Sequence, residues 1–153
     1  MKSVIFVCTA NRCRSPMAMG LFQDQVKDGL GDWKIGSAGT WAVEGQPAIG
    51  FVQKLLLQKG IDIREHRSAQ VTEELLNQYN LILTMEKGHK EGLRIEFPAL
   101  AGRIYLLSEM VGQIFDIPDP VGGPPAEYEA TLRDIDQLLT KGFERINLLA
   151  DQS

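Results

Sequence analysis

VIFVCTANRCRSPMA, residues 4–18, is the stretch that decides the fold. Its first four residues form a short, β-branched apolar run, which predicts a strand buried on both faces of a parallel sheet. A loop of small and polar residues follows at 8–15. Ser15-Pro16 then predicts the start of a helix, with Ser15 as the N-cap and Pro16 at the first helical position, where its missing N–H is not needed. The chain therefore opens as strand, tight loop and helix.

The rest of the chain repeats this alternation of apolar strands and amphipathic helices. Apolar runs predict further strands at 33–38, 81–83 and 104–107. Helical spacing predicts one helix from residue 49 to a cap at Gly60, and others at 71–79, 86–97 and 126–150. Such alternation predicts an α/β fold with a parallel sheet. Ligands of such sheets bind beyond the carboxyl ends of the strands, which is where Cys8 falls.

Composition and charge describe one ordinary globular domain, which we assign to residues 1–153. The formal net charge of −4 gives no general attraction to nucleic acid or to anionic membranes, so we expect neither as a partner. Cys8 and Cys13 are too few for a disulfide framework, and with two histidines they do not suggest a metal site. No apolar run reaches transmembrane length. We expect a soluble cytoplasmic protein that needs no cofactor.

Residues 8–15 contain the groups that an anion site needs. Successive backbone N–H groups can line a concave nest, here those of Thr9, Ala10, Asn11, Arg12, Cys13 and Arg14. The following helix adds its positive end, and the planar guanidinium of Arg14 can bond two phosphate oxygens at once. The same positive features favour the anionic thiolate of Cys8, so nucleophile and phosphate would share one site. Ser15 could donate a hydrogen bond to that thiolate and help it leave.

Transfer of a phosphoryl group also needs an acid that protonates the leaving oxygen. The Pro-rich loop at 115–125 offers two carboxylates, Asp116 and Asp119. We choose Asp119 as the acid, because Pro120 after it fixes the local backbone. An Asp in such a dipeptide is also common in turns, where it bonds only its own backbone. The dipeptide alone does not separate these two roles.

The chain resembles the low molecular weight protein tyrosine phosphatase family along nearly its whole length. VCTANRCRSPMA at 7–18 looks like the signature of that family. Later landmarks occur in the same order as in the family: SAGT at 37–40, HRS at 66–68, LILTM at 81–85 and IPDP at 117–120. The resemblance implies a flavodoxin-like, three-layer fold with a four-stranded parallel sheet. It also implies a metal-free phosphatase acting on proteins.

The resemblance assigns catalytic roles to four residues. Cys8 would attack phosphorus and form a phosphocysteine, while the backbone of 9–14 and the guanidinium of Arg14 stabilise the transferring group. Asp119 would protonate the leaving group and then activate the water that hydrolyses the intermediate. Ser15 would assist the departure of the thiolate.

Four further residues match supporting positions of the family. Asn11, Ser37 and His66 match positions that hold the loop by hydrogen bonds. Cys13 matches a cysteine that can form a reversible disulfide with Cys8, which would protect Cys8 from irreversible oxidation. From the residues themselves, Cys13 could equally be a small packing residue.

Two positions depart from the pattern of the tyrosine-directed members. The residue after the Asp-Pro dipeptide is usually aromatic and walls the phenyl ring, but here it is Val121, followed by two glycines. Arg12 stands where those members carry an aliphatic residue and where the related protein arginine phosphatases carry threonine. Arg12 could add positive charge at the rim of the pocket or point into solvent. Trp41 could supply the missing aromatic wall.

These residues leave several functions to compare. We favour hydrolysis of phosphotyrosine in proteins, with inorganic phosphate or another oxyanion also able to occupy the loop. A protein arginine phosphatase is the first alternative, because breaking a P–N bond depends less on an aromatic slot. An arsenate reductase-type oxidoreductase passes electrons through two additional cysteines, and this sequence has no cysteine beyond Cys13. A non-catalytic oxyanion-binding module would need neither a nucleophile nor an acid.

Overall fold

The computed structural model describes residues 1–151, in which strands and helices alternate. The strands are β1 (Lys2–Cys8), β2 (Trp33–Gly39), β3 (Leu81–Thr84) and β4 (Ile104–Leu106). The α-helices are α1 (Arg14–Gln25), α2 (Gly50–Leu57), α3 (Glu73–Leu76), α4 (Lys87–Glu96), α5 (Pro125–Lys141) and α6 (Phe143–Ala150). Short 3₁₀ segments occupy Lys27–Asp32, Pro98–Arg103 and Leu107–Val111.

The strands form one parallel sheet in the order β2-β1-β3-β4. β1 lies in the interior of the sheet between β2 and β3, and its last residue, Cys8, pairs with Gly39. Because successive side chains of a strand point to opposite faces, Val4 and Phe6 pack on one face and Ile5 and Val7 on the other. The predicted α/β, flavodoxin-like fold with a four-stranded parallel sheet is confirmed.

Helices cover both faces of the sheet, which gives the fold its three layers. α1, α2, α5 and α6 build the larger core with Val4 and Phe6, where Phe22 meets Phe6 edge-on at 5.9 Å between ring centroids. α3 and α4 build the smaller core on the opposite face, around Ile5 and Ile82. Since the strands are parallel, all their carboxyl ends meet at one edge, and the loop after β1 lies at that edge.

Helix α1 begins earlier than the sequence predicts. Its N-cap is Cys13, whose carbonyl already accepts a helical hydrogen bond from the backbone N of Met17 at 3.0 Å. Ser15 is therefore not the N-cap, and that prediction was wrong because its hydroxyl bonds other residues of the loop. Pro16 still falls in the first turn, where a missing N–H costs no helical hydrogen bond.

The C-terminal helix is interrupted at Gly142. The single helix predicted over 126–150 is two helices, α5 ending at Lys141 and α6 beginning at Phe143. A Cβ on Gly142 would lie 2.7 Å from Met110 Cβ, so the backbone packs here more closely than another residue allows. The helix predicted at 71–79 is also shorter, Glu73–Leu76.

Across residues 1–151, no helix is both long and apolar enough to cross a membrane.

Candidate active site

The loop at 8–15 lies between β1 and α1 and packs directly on the end of β2. Thr40 and Trp41 donate their backbone N–H groups to the carbonyls of Cys8 and Thr9, each at 2.9 Å. Gly39 makes this approach possible, because a Cβ at that position would collide with the Thr9 carbonyl oxygen. The end of β2 therefore fixes the first half of the loop.

Asn11 holds the loop from inside. Its φ of 59° lies in the left-handed region, which Asn tolerates better than most residues. Its buried side chain donates to Ser15 Oγ at 2.8 Å and Ser37 Oγ at 3.0 Å, and accepts from the Ala69 backbone N at 2.9 Å. Its carbonyl oxygen lies 2.8 Å from His66 Nε2, which must donate because a carbonyl only accepts. Burial lowers the pKa of His66, which favours the neutral ring.

The thiol of Cys8 is paired with the hydroxyl of Ser15. Their Sγ and Oγ atoms are 3.0 Å apart, and both residues are buried. Asn11 Nδ2 donates to Ser15 Oγ, so the Ser15 hydroxyl proton is left for one of two acceptors, Cys8 Sγ or the more distant Ala38 carbonyl at 3.4 Å. A thiolate at Cys8 would thus receive a hydrogen bond from Ser15 in addition to the field of the α1 N-terminus.

Arg14 is buried beside the loop, with 1% of its surface exposed. Its Nη1 donates to Glu86 Oε2 at 2.5 Å and to the Ile117 carbonyl at 2.7 Å, so both protons of that nitrogen are engaged. The other edge of the guanidinium, formed by Nε and Nη2, can bond two oxygens of an anion in parallel. Nη2 lies 3.9 Å from Asp119 Oδ2. Glu86 therefore orients Arg14 in advance of any anion.

The two candidate acids have different surroundings. Asp119 lines the pocket over Cys8, and its Oδ1 accepts a hydrogen bond from the backbone N of Val121 at 3.0 Å. Asp116 Oδ1 instead accepts from the backbone N of Lys87 at 2.7 Å, at the first residue of α4. The structure thus brings Asp119 to the loop and holds Asp116 at the start of α4. The acid role of Asp119 stays a prediction.

A pocket of about 150 Å³ opens over the loop. It is lined by Cys8, Thr9, Ala10, Arg12, Cys13, Arg14, Ile49, Asp119 and Val121. Arg12 and Val121, two of the residues suggested as a substrate wall, are therefore in place. Arg12 is held at the rim by a hydrogen bond from its Nε to the Pro47 carbonyl at 2.9 Å.

Trp41 is not part of this pocket, and the prediction that it walls the site is corrected. Its backbone N contacts the loop, but its side chain is 83% exposed and does not line the pocket. Ile49 lines the pocket instead, because its backbone N donates to the Arg12 carbonyl at 2.9 Å. The apolar lining is thus aliphatic, from Ile49 and Val121.

Cys13 lies in the same pocket as Cys8 but differs in its chemistry. Burial, together with Cys8 and Asp119, raises the pKa of Cys13 to about 12, against the opposing effect of Arg14. Cys13 therefore stays a neutral thiol near neutral pH and is not a competing nucleophile. Both cysteines are free, and their reversible disulfide stays a prediction.

Ile49, Glu86 and His89 contribute to the site and were not predicted for it. Glu86 and His89 follow β3, whose carboxyl end lies beside that of β1, so the predicted sheet was the signal that could have found them. His89 Nε2 lies 2.8 Å from Thr9 Oγ1.

In the part of the chain that the structure describes, no group of three or more His, Cys, Asp or Glu side chains could hold a metal ion.

Comparison with known proteins agrees with this geometry. The family model for low molecular weight phosphotyrosine protein phosphatase matches residues 3–150. The chain is 35% identical over 144 residues to a protein-arginine-phosphatase of Geobacillus stearothermophilus, covering 94% of this chain and 95% of that protein. It is 34% identical over 148 residues to the probable low molecular weight protein-tyrosine-phosphatase EpsP of Ralstonia nicotianae, covering 97% and 98%.

The fold is also similar to a solved structure within the same group of proteins. The low molecular weight protein tyrosine phosphatase from T. tengcongensis superimposes with a TM-score of 0.89 at 40% identity, covering 95% of this chain and 99% of that one. The chain therefore belongs to the low molecular weight phosphotyrosine protein phosphatase family, whose members are hydrolases.

Proposed function

We propose that this protein hydrolyses phosphotyrosine in proteins through a phosphocysteine at Cys8. The observation that carries the proposal is the convergence of Cys8, Arg14 and Asp119 on one pocket, with Ser15 Oγ 3.0 Å from the thiol. A site that only bound oxyanions would need Arg14 and the backbone N–H groups, but neither a nucleophile nor an acid. Family membership supports the same reaction class.

In the first step, the Cys8 thiolate attacks phosphorus and an S–P bond forms as the P–O bond to the tyrosine oxygen breaks. Asp119, protonated at this stage, gives its proton to the leaving oxygen, so tyrosine departs neutral. The Nε–Nη2 edge of Arg14 and the backbone N–H groups of the loop bond the phosphoryl oxygens, where charge is concentrated during transfer.

In the second step, the Asp119 carboxylate takes a proton from a water molecule that attacks phosphorus. The S–P bond breaks, phosphate is released and the electron pair returns to sulfur. Ser15 donates its hydroxyl proton as a hydrogen bond to that sulfur, which makes the thiolate a better leaving group. Asp119 ends this step protonated and ready for the next cycle.

A protein arginine phosphatase is the second candidate, favoured by one specific observation. No aromatic side chain of residues 1–151 lines the pocket; its apolar contacts come from Ile49 and Val121. A phenyl ring and a planar guanidinium can both pack between aliphatic side chains, so this lining accepts either substrate. A relative of this chain is named as a protein-arginine-phosphatase, which supports the comparison.

The test is phosphate release from a phosphotyrosine peptide and a phosphoarginine peptide, measured side by side. Wild type is compared with Cys8→Ser and with Cys13→Ser as the matched cysteine control. We expect preference for phosphotyrosine, no turnover in Cys8→Ser and surviving turnover in Cys13→Ser. Preference for phosphoarginine would keep the mechanism and overturn the substrate. Hydrolysis of neither peptide would overturn the proposed function.

We further propose that the protein acts in the cytoplasm and that free phosphate or a related oxyanion also binds the loop. A reducing compartment would keep the nucleophile available, and both cysteines are free. Inorganic phosphate should therefore inhibit competitively, which a rate measurement at increasing phosphate concentration tests. Non-competitive behaviour would place the anion elsewhere.

A further inference from the structure

One hydrogen bond beside the pocket has no part in the mechanism above. It joins Thr9 Oγ1 to His89 Nε2 at 2.8 Å, between the loop after β1 and the first turn of α4. Thr9 lines the pocket, whereas His89 is 9% exposed and reaches the site only through Thr9. The two residues are far apart in sequence, so the fold itself creates this contact.

The direction of this hydrogen bond follows from the other side of the imidazole. The backbone N–H of Glu86 donates to His89 Nδ1 at 3.2 Å, so Nδ1 is an acceptor without a proton. In a neutral imidazole the proton must then be on Nε2, which makes Nε2 the donor to Thr9. Burial lowers the pKa of His89, against the effect of Glu86, and this favours the neutral ring.

The Thr9 hydroxyl accepts one hydrogen bond from His89 and lies 3.4 Å from a second donor, Arg14 Nη2. A hydroxyl has two lone pairs and one proton, so two donors occupy its acceptor positions and leave the proton free. Within residues 1–151, no other side chain or carbonyl is hydrogen-bonded to this hydroxyl. The free proton is therefore available to an anion in the pocket that Thr9 lines.

We infer that His89 is a positioning residue that orients the Thr9 hydroxyl as a side-chain donor to a phosphoryl oxygen. The loop would then bind phosphate through the guanidinium of Arg14, backbone N–H groups and this one hydroxyl. The inference deepens the proposed function and rests on it. A hydrogen bond to a charged oxygen is worth enough that its loss should lower phosphate affinity about tenfold.

Two substitutions at His89 separate orientation from a merely structural role. His89→Asn keeps an acceptor near Nδ1 for the Glu86 N–H but has no donor at Nε2. His89→Gln can place an amide donor near Nε2, toward Thr9. If His89 only stabilises the start of α4, His89→Asn should bind phosphate like wild type and His89→Gln should bind it more weakly. If His89 orients Thr9, His89→Gln should bind phosphate like wild type and His89→Asn should bind it more weakly.

The experiment measures binding of inorganic phosphate by calorimetry, with kcat and KM on an aryl phosphate as a second readout. The variants are Thr9→Val, Thr9→Ser, His89→Leu, His89→Gln, His89→Asn and the double variant Thr9→Val/His89→Leu. We expect about tenfold weaker phosphate binding in Thr9→Val and in His89→Leu, no further loss in the double variant, and recovery in Thr9→Ser and His89→Gln.

The inference would be overturned if the losses of phosphate affinity of the two single variants multiplied in the double variant, or if Thr9→Val bound phosphate like wild type. Thermal melting of each variant shows whether it is folded, and Thr9→Ser provides the conservative test if Thr9→Val does not fold. Phosphate binding needs no turnover. A wild type that binds phosphate with the expected pattern but hydrolyses no phosphopeptide would therefore overturn the proposed function and leave the inference standing. A wild type that binds no phosphate would overturn both.

Discussion

The floor and the wall of the pocket are built in opposite ways. The floor, which we define as Cys8, Asn11, Arg14 and Ser15, is buried, and each of its side chains bonds another polar group of the protein. The wall, defined as Arg12, Ile49 and Val121, is partly or largely exposed and offers mainly aliphatic contact.

This difference separates the chemistry of the site from its choice of substrate. Removing one partner from the floor leaves a buried polar group unpaired, which costs more than the hydrogen bond itself contributes. The floor is therefore rigid and tolerates little change. A change in the wall alters the surroundings of the leaving group, through contact area at Ile49 and Val121 and through charge at Arg12. We therefore expect the floor to be compatible with phosphotyrosine or phosphoarginine and the wall to set the preference between them.

The largest effect that would sharpen this comparison is expected at the acid. Asp119→Asn should lower kcat on an aryl phosphate by about 10²- to 10⁴-fold, because a general acid is lost while the shape of the side chain is kept. Asp116→Asn is the matched control, since Asp116 bonds only the backbone N of Lys87 beyond its own segment. A larger loss in Asp116→Asn than in Asp119→Asn would show that the acid is misassigned.

A second large effect is expected where β2 supports the floor. Gly39→Ala places a Cβ against the Thr9 carbonyl and should lower the free energy of unfolding by about 1–3 kcal/mol, with a loss of kcat as the loop shifts. Gly50→Ala, where the new Cβ meets nothing within 4 Å, is the control. Equal stability of the two variants by urea denaturation would mean that the loop is not held by this contact.

The pH dependence of stability tests the floor through His66. Its folded-state pKa is lowered by burial, so protonation favours the unfolded chain. The stability that neutral His66 contributes is fully present above its unfolded pKa of about 6.5. It is lost as pH falls from that value through the lower pKa of the folded state. His66→Gln can still donate to the Asn11 carbonyl but does not titrate. The variant should therefore lose less stability on acidification than wild type, whereas parallel curves in urea titrations would contradict this account.

The smallest effects are expected in the wall. Ile49→Ala and Val121→Ala should each raise KM for an aryl phosphate about three- to tenfold, with kcat nearly unchanged, because they remove contact with the ring. Trp41→Ala is the control, since its side chain is exposed and outside the pocket. An effect of Trp41→Ala on KM larger than those of the two aliphatic variants would restore Trp41 as the wall.

The comparison also explains what the sequence could predict. The floor is nearly continuous in sequence, within residues 8–15, so its residue types and spacing show its chemistry directly. Arg12 of the wall lies in the same stretch, and Arg12 and Val121 were suggested from the sequence, but Ile49 and the residues behind Arg14 come from distant segments. In the sequence, Ile49 falls on the apolar face of the helix predicted from residue 49, and Glu86 and His89 fall at the start of the helix predicted over 86–97. Their functional places arise from sheet order, which brings the end of β3 beside β1.

Errors in the predicted secondary structure have the same origin. Ser15 has the sequence of an N-cap, but its hydroxyl bonds Cys8 and Asn11, so the helix begins in the loop itself. The helical pattern at 126–150 is continuous, but close packing of Gly142 on Met110 breaks it. At Ser15 the hydrogen bonds of the loop overrode the capping preference, whereas at Gly142 a residue with weak helix propensity packs closely on Met110.

The most direct test of the central claim is detection of the covalent intermediate. Asp119→Ala should still be attacked by an activated aryl phosphate, whose leaving group needs little protonation, but should hydrolyse the intermediate slowly. Rapid quenching followed by peptide mass spectrometry would then locate the phosphoryl group. We predict one phosphoryl group, on Cys8, and none when Cys8→Ala, which leaves no nucleophilic side chain at this position, is added to Asp119→Ala. A phosphoryl group on any other residue, or none on a variant that still releases the aryl alcohol, would contradict it.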